Sequence, residues 1–420
     1  MRLLILFFLL LVVVLIFLLE AKSINVYHFL YSDFEPEQIR NSNNNKLTPK
    51  ASHESENTMP EWIRDYIHFH RASINDTNLV ADAQFLLYQC EGSCAGIGGR
   101  LKTMIKSLYA SICSDRVLLI HAPSPFPLER YLEPNLLQWN ASSKLTTTHV
   151  HHVFRRGSNM SLPHAYPGIQ LQMLQGTDMM DMNDVWNSDV CQSFFRRKNV
   201  SLVLQDEEAL YRWGFLTLFR FSKAVYDRAD VVKKQAGLSG SYVGLHLRTN
   251  KGENWNDPHR RFEGVESYLQ CFQYFRDIYG LKAGYIAADN LQIKSNLQSL
   301  DKSLTFANEL QIFHIDKSIS RELEIKLSPT DSLATRHQKQ VGTISNATIA
   351  EMGMLDLFAE LLVIVDAECV IMSKSGLSYA MHYIPLAPRC GVFISHCTRE
   401  SVEQRHHKYV QRQNRIINQV

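Results

Sequence analysis

Along most of this chain, short apolar runs alternate with glycine- or serine-rich turns and amphipathic segments, and this alternation constrains the fold more than any other feature. Phe85–Gln89 is a predicted strand, a glycine-rich turn at 90–100 follows it, and apolar residues at helical spacing predict a helix over Leu101–Cys113. Val117–Ile120 is the next predicted strand. Strand, turn, helix and strand in this order are typical of a parallel α/β unit.

The second half of the chain repeats the pattern. A proline-rich stretch at 121–204 predicts long loops that line a cleft, and the segment 205–232 predicts one long helix that leads toward the second half. The simplest architecture is two α/β halves that face each other across a cleft. The predicted strands of the second half are Val243–Leu247 and Ala283–Ala288, with a weaker candidate at Leu310–Phe313 and strand-like runs at Val363–Val365 and Cys369–Met372. Its predicted helices are Val265–Tyr279 and Ile349–Leu362.

The amino terminus is a different kind of segment. Leu3–Leu19 consists of 17 consecutive apolar residues, which as a helix would span about 25 Å, just enough for a thin bilayer. A cleaved signal peptide is the alternative, but Leu18–Lys22 offers a poor cleavage site. We favour an uncleaved signal anchor. The expected division is a cytoplasmic tail at 1–2, a transmembrane helix at 3–19, a polar stem at 20–80, an amino-terminal α/β domain at 81–232 and a carboxyl-terminal α/β domain at 233–420.

Two further features favour a lumenal location in the Golgi or the endoplasmic reticulum, as a single-pass type II membrane glycoprotein. The chain has five acceptor sequons for N-glycosylation, at Asn75, Asn140, Asn159, Asn199 and Asn346. It also has eight cysteines, some of which are expected to pair in an oxidising compartment. Their connectivity cannot be read from the sequence, although Cys90 with Cys94 and Cys390 with Cys397 could each close a small loop.

Composition excludes some partners. The chain is 45% apolar and 20% charged, as in an ordinary globular protein, and its formal net charge is only +2. A charge this small does not suggest nucleic acid as the main partner. The cysteines and histidines show no zinc spacing, and we expect no bound metal.

The segment Ser241–Asn250 is the main candidate for chemistry. It carries His246 and Arg248 two residues apart at the end of a predicted strand, and alternation along a strand points both side chains to the same face. A planar, permanently charged guanidinium at the carboxyl end of a strand is suited to a diphosphate. The alternative is a strand that merely ends in polar residues.

Two turns and one acid join this candidate site. Gly98, in a glycine-rich turn before Arg100, and the later turn with Ser375, Gly376 and Ser378 each open a helix, where backbone amides and hydroxyls can hold an anion. The alternatives are a turn that only packing requires and an ordinary serine cap. Asp289 ends a strand, where an acid often orients a ribose or a base but is more often a turn residue.

Other polar clusters are interpreted as solvated. His149, His151 and His152 have no acid at metal-ligand spacing nearby, and Asp178, Asp181 and Asp184 are spaced for a helix face or a loop rather than for a metal-binding Asp-x-Asp pair. The basic tail at 405–415 is expected to be a solvated helix face.

Taken together, the motifs resemble the fucosyltransferase superfamily that contains the α1,2-, α1,6- and protein O-fucosyltransferases, and in motif most nearly its plant cell-wall group. The matching pieces, in order, are the Gly96–Arg100 turn with Ser114–Ile120, the His-x-Arg pair in Gly244–Arg248, the strand ending at Asp289, and Asp356–Leu362 with the turn Ser375–Ser378. Two positions depart from the family pattern. Gly99 replaces an asparagine, and Leu377 replaces an aromatic residue.

The resemblance implies a GT-B-like fold of two Rossmann-like α/β domains and an inverting transfer of fucose from GDP-fucose, without a required metal or cofactor, to a hydroxyl of a glycan or glycoprotein. It further implies a donor site. In that site Arg248 contacts the β-phosphate, His246 supports the donor, Asp289 lies near the guanosine, the turn with Ser375, Gly376 and Ser378 lies near the pyrophosphate, and Gly98 and Arg100 lie across the cleft.

An acceptor hydroxyl would attack with the help of a carboxylate. Glu253, just after the His-x-Arg pair, is the candidate base, and Glu91 and Glu263 stay open as alternatives. The alternative function is a non-catalytic lumenal relative of the same fold that binds sugar or acts as a scaffold. A transferase that uses another nucleotide, such as a sulfotransferase, would need a basic phosphate loop, and no convincing one is present.

Overall fold

A computed structural model gives the fold of the chain. It describes residues 59–75, 83–89, 97–123, 127–140, 150–154, 171–175, 182–200, 207–248, 264–307, 347–382, 384 and 390–417. Among these residues, no helix is long and apolar enough to cross a membrane. The expected anchor at 3–19 lies outside the described residues.

The first half of the chain forms a parallel sheet with the strand order β2-β1-β5-β4. The glycine-rich turn after β1 leads into α2, which crosses to β2 as the sequence predicts. The elements are α1 (Glu61–Asn75), β1 (Phe85–Gln89), α2 (Ile97–Cys113), β2 (Val117–His121), β3 (Leu132–Pro134), β4 (Val150–Phe154), β5 (Leu171–Gln175), α3 (Met182–Trp186), α4 (Asp189–Lys198), α5 (Glu207–Leu218), β6 (Phe219–Phe221) and α6 (Lys223–Gln235).

Two predictions for this half were wrong. The region 121–204 is not only loops, because β4 and β5 extend the sheet within it. The long helix expected at 205–232 is broken, because β6 pairs antiparallel with β3 between α5 and α6. The Ser222 side chain caps the amino end of α6 by accepting a hydrogen bond from the Val225 amide.

The second half forms an all-parallel sheet with the strand order β11-β10-β7-β8-β9. Alternate residues of its strands pack on helices on opposite faces, so the sheet is buried on both sides. The elements are β7 (Tyr242–Leu247), α7 (Val265–Tyr279), β8 (Ala283–Ala288), α8 (Leu291–Leu300), β9 (Leu304–Thr305), α9 (Ala347–Val365), β10 (Cys369–Met372), α10 (Gly376–His382), β11 (Cys390–Phe393) and α11 (Arg399–Ile417).

Five of these ten elements, namely β7, α7, β8, α9 and β10, were predicted within a few residues of their observed ends, whereas α8, β9 and β11 were not predicted. The strand-like run Val363–Val365 was wrong, because it continues α9 as helix. The strand candidate Leu310–Phe313 lies outside the described residues. The expected helical tail is confirmed as part of α11, in which Arg405 is exposed.

The two halves are joined by packing as well as by the chain. Helix α6 packs against α9, and Arg228 and Lys233 of α6 form ion pairs with Asp356 and Asp366. The expected domain boundary between residues 232 and 233 therefore falls inside a helix that contacts the second half, and the exact division of the chain stays a prediction.

Three disulfides link described cysteines: Cys113 with Cys191, Cys271 with Cys397, and Cys369 with Cys390. The small loop expected between Cys390 and Cys397 is therefore wrong. In the parallel sheet Cys369 and Cys390 are partners in register on β10 and β11, which brings their side chains together. The pair Cys90 and Cys94 lies outside the described residues.

Helix α1 lies within the expected stem at 20–80, but it packs in the protein core. Trp62, Ile63 and Ile67 of this helix are buried in the main core, and the Tyr66 hydroxyl donates to the Arg116 carbonyl beside β2. Residues 59–75 are therefore part of the folded unit, although the expected stem reached to residue 80.

We expect Ile67→Ala to destabilise the protein by about 2–5 kcal/mol, because it removes methyl groups from a fully buried position. His68→Ala, on the exposed face of the same helix, should change stability by less than about 0.5 kcal/mol. Urea unfolding followed by circular dichroism measures both. Equal, small effects would mean that α1 is a tether rather than a core element.

Candidate functional site

The carboxyl edge of the second sheet contains a topological switch point. Strand β7 lies in the middle of the sheet, and the chain runs from β7 to β8 on one side but from β10 to β11 on the other. Because the two connections leave in opposite directions, a crevice forms outside the carboxyl ends of β7 and β10. The Ser373 amide donates to the His246 carbonyl at 3.0 Å and holds these two ends together.

Arg248 and Asp289 meet at this edge. Arg248 is the first residue after β7, Asp289 is the first after β8, and Arg248 Nη1 lies 3.0 Å from Asp289 Oδ2. The two side chains remain 32% and 22% exposed, so a ligand in the crevice can reach both. The guanidinium is planar and permanently charged, and its five N–H donors match the geometry of carboxylate and phosphate oxygens.

His246 lies beneath this pair. Its ring is buried, and its Nδ1 lies 2.7 Å from the hydroxyl oxygen of Ser378. Burial lowers the pKa of His246 to about 4, although the nearby Asp289 charge acts to raise the pKa. The imidazole is therefore neutral at neutral pH.

The serine turn after β10 connects the same groups. Ser375 accepts a hydrogen bond from the Ser378 amide at 3.1 Å, as a helix cap does, and its hydroxyl also lies 2.9 Å from that of Ser378. Ser373 accepts from the backbone amide of Arg248 at 3.1 Å. This serine belongs to the predicted anion-holding turn, although the donor site implied by the resemblance began at Ser375. It ties the Arg248 backbone directly to the turn.

The glycine turn of the first half lies against the serine turn of the second. A Cβ atom at Gly98 would lie 2.3 Å from the Gly376 carbonyl carbon and 2.5 Å from the Leu377 amide nitrogen. No side chain fits between these backbones, so packing alone requires glycine at position 98. A contact between Gly98 and a donor stays a prediction.

Two basic residues follow Gly98 on α2. Burial lowers the pKa of Arg100, and the nearby Tyr88 acts to raise it. Lys102 Nζ lies 4.9 Å from the ring centroid of Tyr379 on α10 and 5.7 Å from that of Tyr211 on α5. The contact with Tyr379 is a further link between the halves, which spacing alone did not indicate.

A buried ion pair lies behind the edge. The Lys294 ammonium of α8 donates to Glu360 of α9 at 2.9 Å, and the Tyr285 hydroxyl donates to the same carboxylate oxygen at 3.1 Å. Burial raises the pKa of Glu360, and Lys294 acts to lower it. Because α8 begins just after Asp289, this pair fixes the segment that carries Asp289. Little in the sequence indicates this buried ion pair, because single charged residues within amphipathic helices usually face solvent.

The structure thus brings together five predicted residues, namely His246, Arg248, Asp289, Ser375 and Ser378, and places Gly98 against Gly376. Glu253, Glu91, Glu263, Asp178, Asp181 and His149 lie outside the described residues, whereas His151 and His152 lie in β4 and Asp184 lies in α3. Within the described part of the chain, no group of three or more His, Cys, Asp or Glu side chains could hold a metal ion.

Comparison with known proteins gives similarity in structure alone. No family model matches the chain, and no curated protein matches its sequence. A variant of FUT1 from Arabidopsis thaliana in complex with GDP has a TM-score of 0.47 at 11% identity, covering 79% of this chain and 77% of that chain. Fucosyltransferase NodZ from Bradyrhizobium has a TM-score of 0.40 at 11% identity, with 72% and 93% covered.

POFUT1 in complex with GDP-fucose has a TM-score of 0.40 at 10% identity, covering 74% of this chain and 97% of that chain. With TM-scores below 0.5 and identities of 10–11%, the proposed function is drawn from the residues of this chain.

The glycine contact predicts an asymmetry between two similar substitutions. Gly98→Ala should lower stability by about 1–3 kcal/mol, because the new methyl group forces the two turns apart. Gly376→Ala should be tolerated, because its Cβ would lie 3.7 Å from the nearest neighbouring atom, the Gly99 amide nitrogen. Thermal unfolding of both variants measures the difference. Equal melting temperatures would contradict the close contact.

Proposed function

We propose that the chain is an inverting, metal-independent glycosyltransferase that transfers fucose from GDP-fucose to a hydroxyl of a glycan or glycoprotein. One observation carries the proposal, namely the part-exposed Arg248 held by Asp289 at the switch point of a parallel sheet. Open α/β sheets bind nucleotides at this position. The choice of GDP-fucose among nucleotide sugars comes from the order of the four sequence motifs.

The charge of the site suits the proposed leaving group. Breaking the bond between the sugar and the phosphate places negative charge on the departing GDP. Without a metal, preorganised cations and hydrogen-bond donors have to stabilise that charge. Arg248 supplies a permanent cation, and its bond to Asp289 holds the guanidinium in place before the ligand arrives.

The acceptor hydroxyl would attack the anomeric carbon from the face opposite to GDP, which inverts the configuration at that carbon. A carboxylate that takes the hydroxyl proton would assist the attack, and Glu253 is the candidate base. The acceptor would enter from the side of the first half, since the start of α2 lies against the serine turn.

The proposed compartment is the lumen of the Golgi or endoplasmic reticulum, with the amino-terminal segment as a single-pass type II anchor. Three disulfides among the described cysteines suit an oxidising environment. The three sequon asparagines that are described, Asn75, Asn140 and Asn199, are all exposed and could carry glycans.

Calorimetry with EDTA present tests the donor site. We expect the wild type to bind GDP without metal, and Arg248→Ala to bind about 10–100-fold more weakly, because it removes a charged hydrogen-bond donor to phosphate. Guanosine, which lacks phosphate, should bind both proteins alike.

Arg276→Ala is the matched control. Arg276 pairs with Asp301 at 2.8 Å, and the side chains are 35% and 22% exposed, much as in the Arg248 pair. It lies at the amino edge of the sheet, because α7 ends just before β8 begins, and its loss should leave GDP binding unchanged. A folded wild type that does not bind GDP would reject the transferase and favour the non-catalytic alternative.

Glycosidase treatment tests the compartment. The full chain produced in animal cells should gain gel mobility after N-glycan removal, and Asn75→Gln, Asn140→Gln and Asn199→Gln should each remove one glycan. Asn296→Gln, an exposed asparagine outside any sequon, should change nothing. A chain without N-glycans would place these residues outside the lumen.

A further inference from the structure

Ser378 has the most hydrogen-bond neighbours among the serines at the carboxyl edge. It is fully buried, and its hydroxyl oxygen lies 2.7 Å from His246 Nδ1, 2.9 Å from the Ser375 hydroxyl and 3.4 Å from the Ser373 hydroxyl. A buried donor without an acceptor is costly. Each buried proton in the cluster therefore needs an acceptor, and this requirement constrains the directions of the hydrogen bonds.

One arrangement of hydrogen bonds gives every proton an acceptor within the cluster. The Ser373 oxygen already accepts from the Arg248 amide, and the Ser375 oxygen accepts from the Ser378 amide. If both of these serines donate their hydroxyl protons to Ser378, they fill its two lone pairs. The Ser378 proton then has one acceptor left, which is an unprotonated Nδ1 on His246.

The opposite tautomer leaves one hydroxyl proton without an acceptor within the cluster. If Nδ1 carried the proton, it would occupy one lone pair of Ser378, and only one of Ser373 and Ser375 could still donate there. The other would accept the Ser378 proton and would need an acceptor for its own outside the cluster. The 2.7 Å separation between His246 and Ser378 is also nearer to the usual length of an O–H donor bond than to that of an N–H donor bond.

We propose that Ser378 is a positioning residue that holds His246 as the neutral tautomer with its proton on Nε2. The imidazole then offers a hydrogen-bond donor, and not a base, to an anionic ligand. Identification of that ligand as the diphosphate of GDP-fucose rests on the proposed function, whereas the tautomer does not depend on it.

The surroundings of the ring support this assignment. The pKa of His246 is lowered by burial, and the charges of Asp289 and Arg248 both act on it, so the ring lies close to the cation assigned to the phosphate. A neutral donor adds a hydrogen bond at this place without a second buried charge beside Arg248. His246 would accordingly take no part in proton transfer from the acceptor.

Nitrogen NMR of the full chain with 15N-labelled histidine tests the tautomer directly, before any ligand is added. The His246 signals are assigned by their loss in His246→Gln. We expect a protonated Nε2 and an unprotonated Nδ1 in the wild type, and a shift toward the other tautomer in Ser378→Ala. Ser107→Ala, which removes a buried hydroxyl bonded to the Thr103 carbonyl elsewhere, should leave the His246 signals unchanged.

Calorimetry then tests the role of the donor. Ser378→Ala should weaken GDP binding about 10-fold and leave guanosine binding unchanged. His246→Gln, whose amide nitrogen can reach the Nε2 position, should retain more GDP affinity than His246→Asn, whose amide lies nearer the Nδ1 position.

The outcomes separate the two proposals. A wild type with the proton on Nδ1, or a Ser378→Ala variant with an unchanged tautomer, overturns the positioning role. A changed tautomer with unchanged GDP affinity overturns the donor role of Nε2. A wild type that binds no GDP rejects the proposed function, while the NMR result still decides the role of Ser378.

Discussion

The parallel pairing of β7 on both sides is the constraint on which the candidate site depends. His246 lies in register with Ala287 of β8 and with Met372 of β10. Parallel strands in register end at one edge, so the residues that follow them, Arg248, Asp289 and Ser373, come together whatever the intervening loops do. The crossover helices bury both faces of such a sheet, and this edge is where polar side chains can meet a ligand.

The contact between Gly98 and Gly376 extends this edge across the two halves. Backbone lies directly on backbone there, and Lys102 over Tyr379 adds a second link nearby. A ligand in the crevice of the second sheet would therefore meet the start of α2 as one wall. The first half takes part in the site through this contact, and its glycine requirement has a packing cause that is independent of any ligand.

The sequence predicted what local patterns determine. Apolar runs bounded by turns placed β7, α7, β8 and β10 closely, and the spacing of His246 and Arg248 predicted a polar cluster at a strand end. Strands β4 and β5 were not predicted because each is short and mixes polar with apolar residues within a proline-rich stretch of sequence. The Lys294–Glu360 pair and the hydrogen bonds around Ser378 were not predicted, because they depend on how separate elements pack. Sequence periodicity does not predict that packing.

The charges at the edge explain why Asp289 and Arg248 occur together. A diphosphate would compete with the Asp289 carboxylate for the same guanidinium, whose planar set of donors suits both kinds of oxygen. Asp289 reduces the net positive charge at this edge but holds the Arg248 side chain in place. Less conformational entropy is therefore lost when a ligand binds. The Lys294–Glu360 pair is compensated internally, and a neutral His246 adds no charge. Arg248 is thus a cation at this edge through which an anion would be stabilised, and the surrounding residues keep it in position.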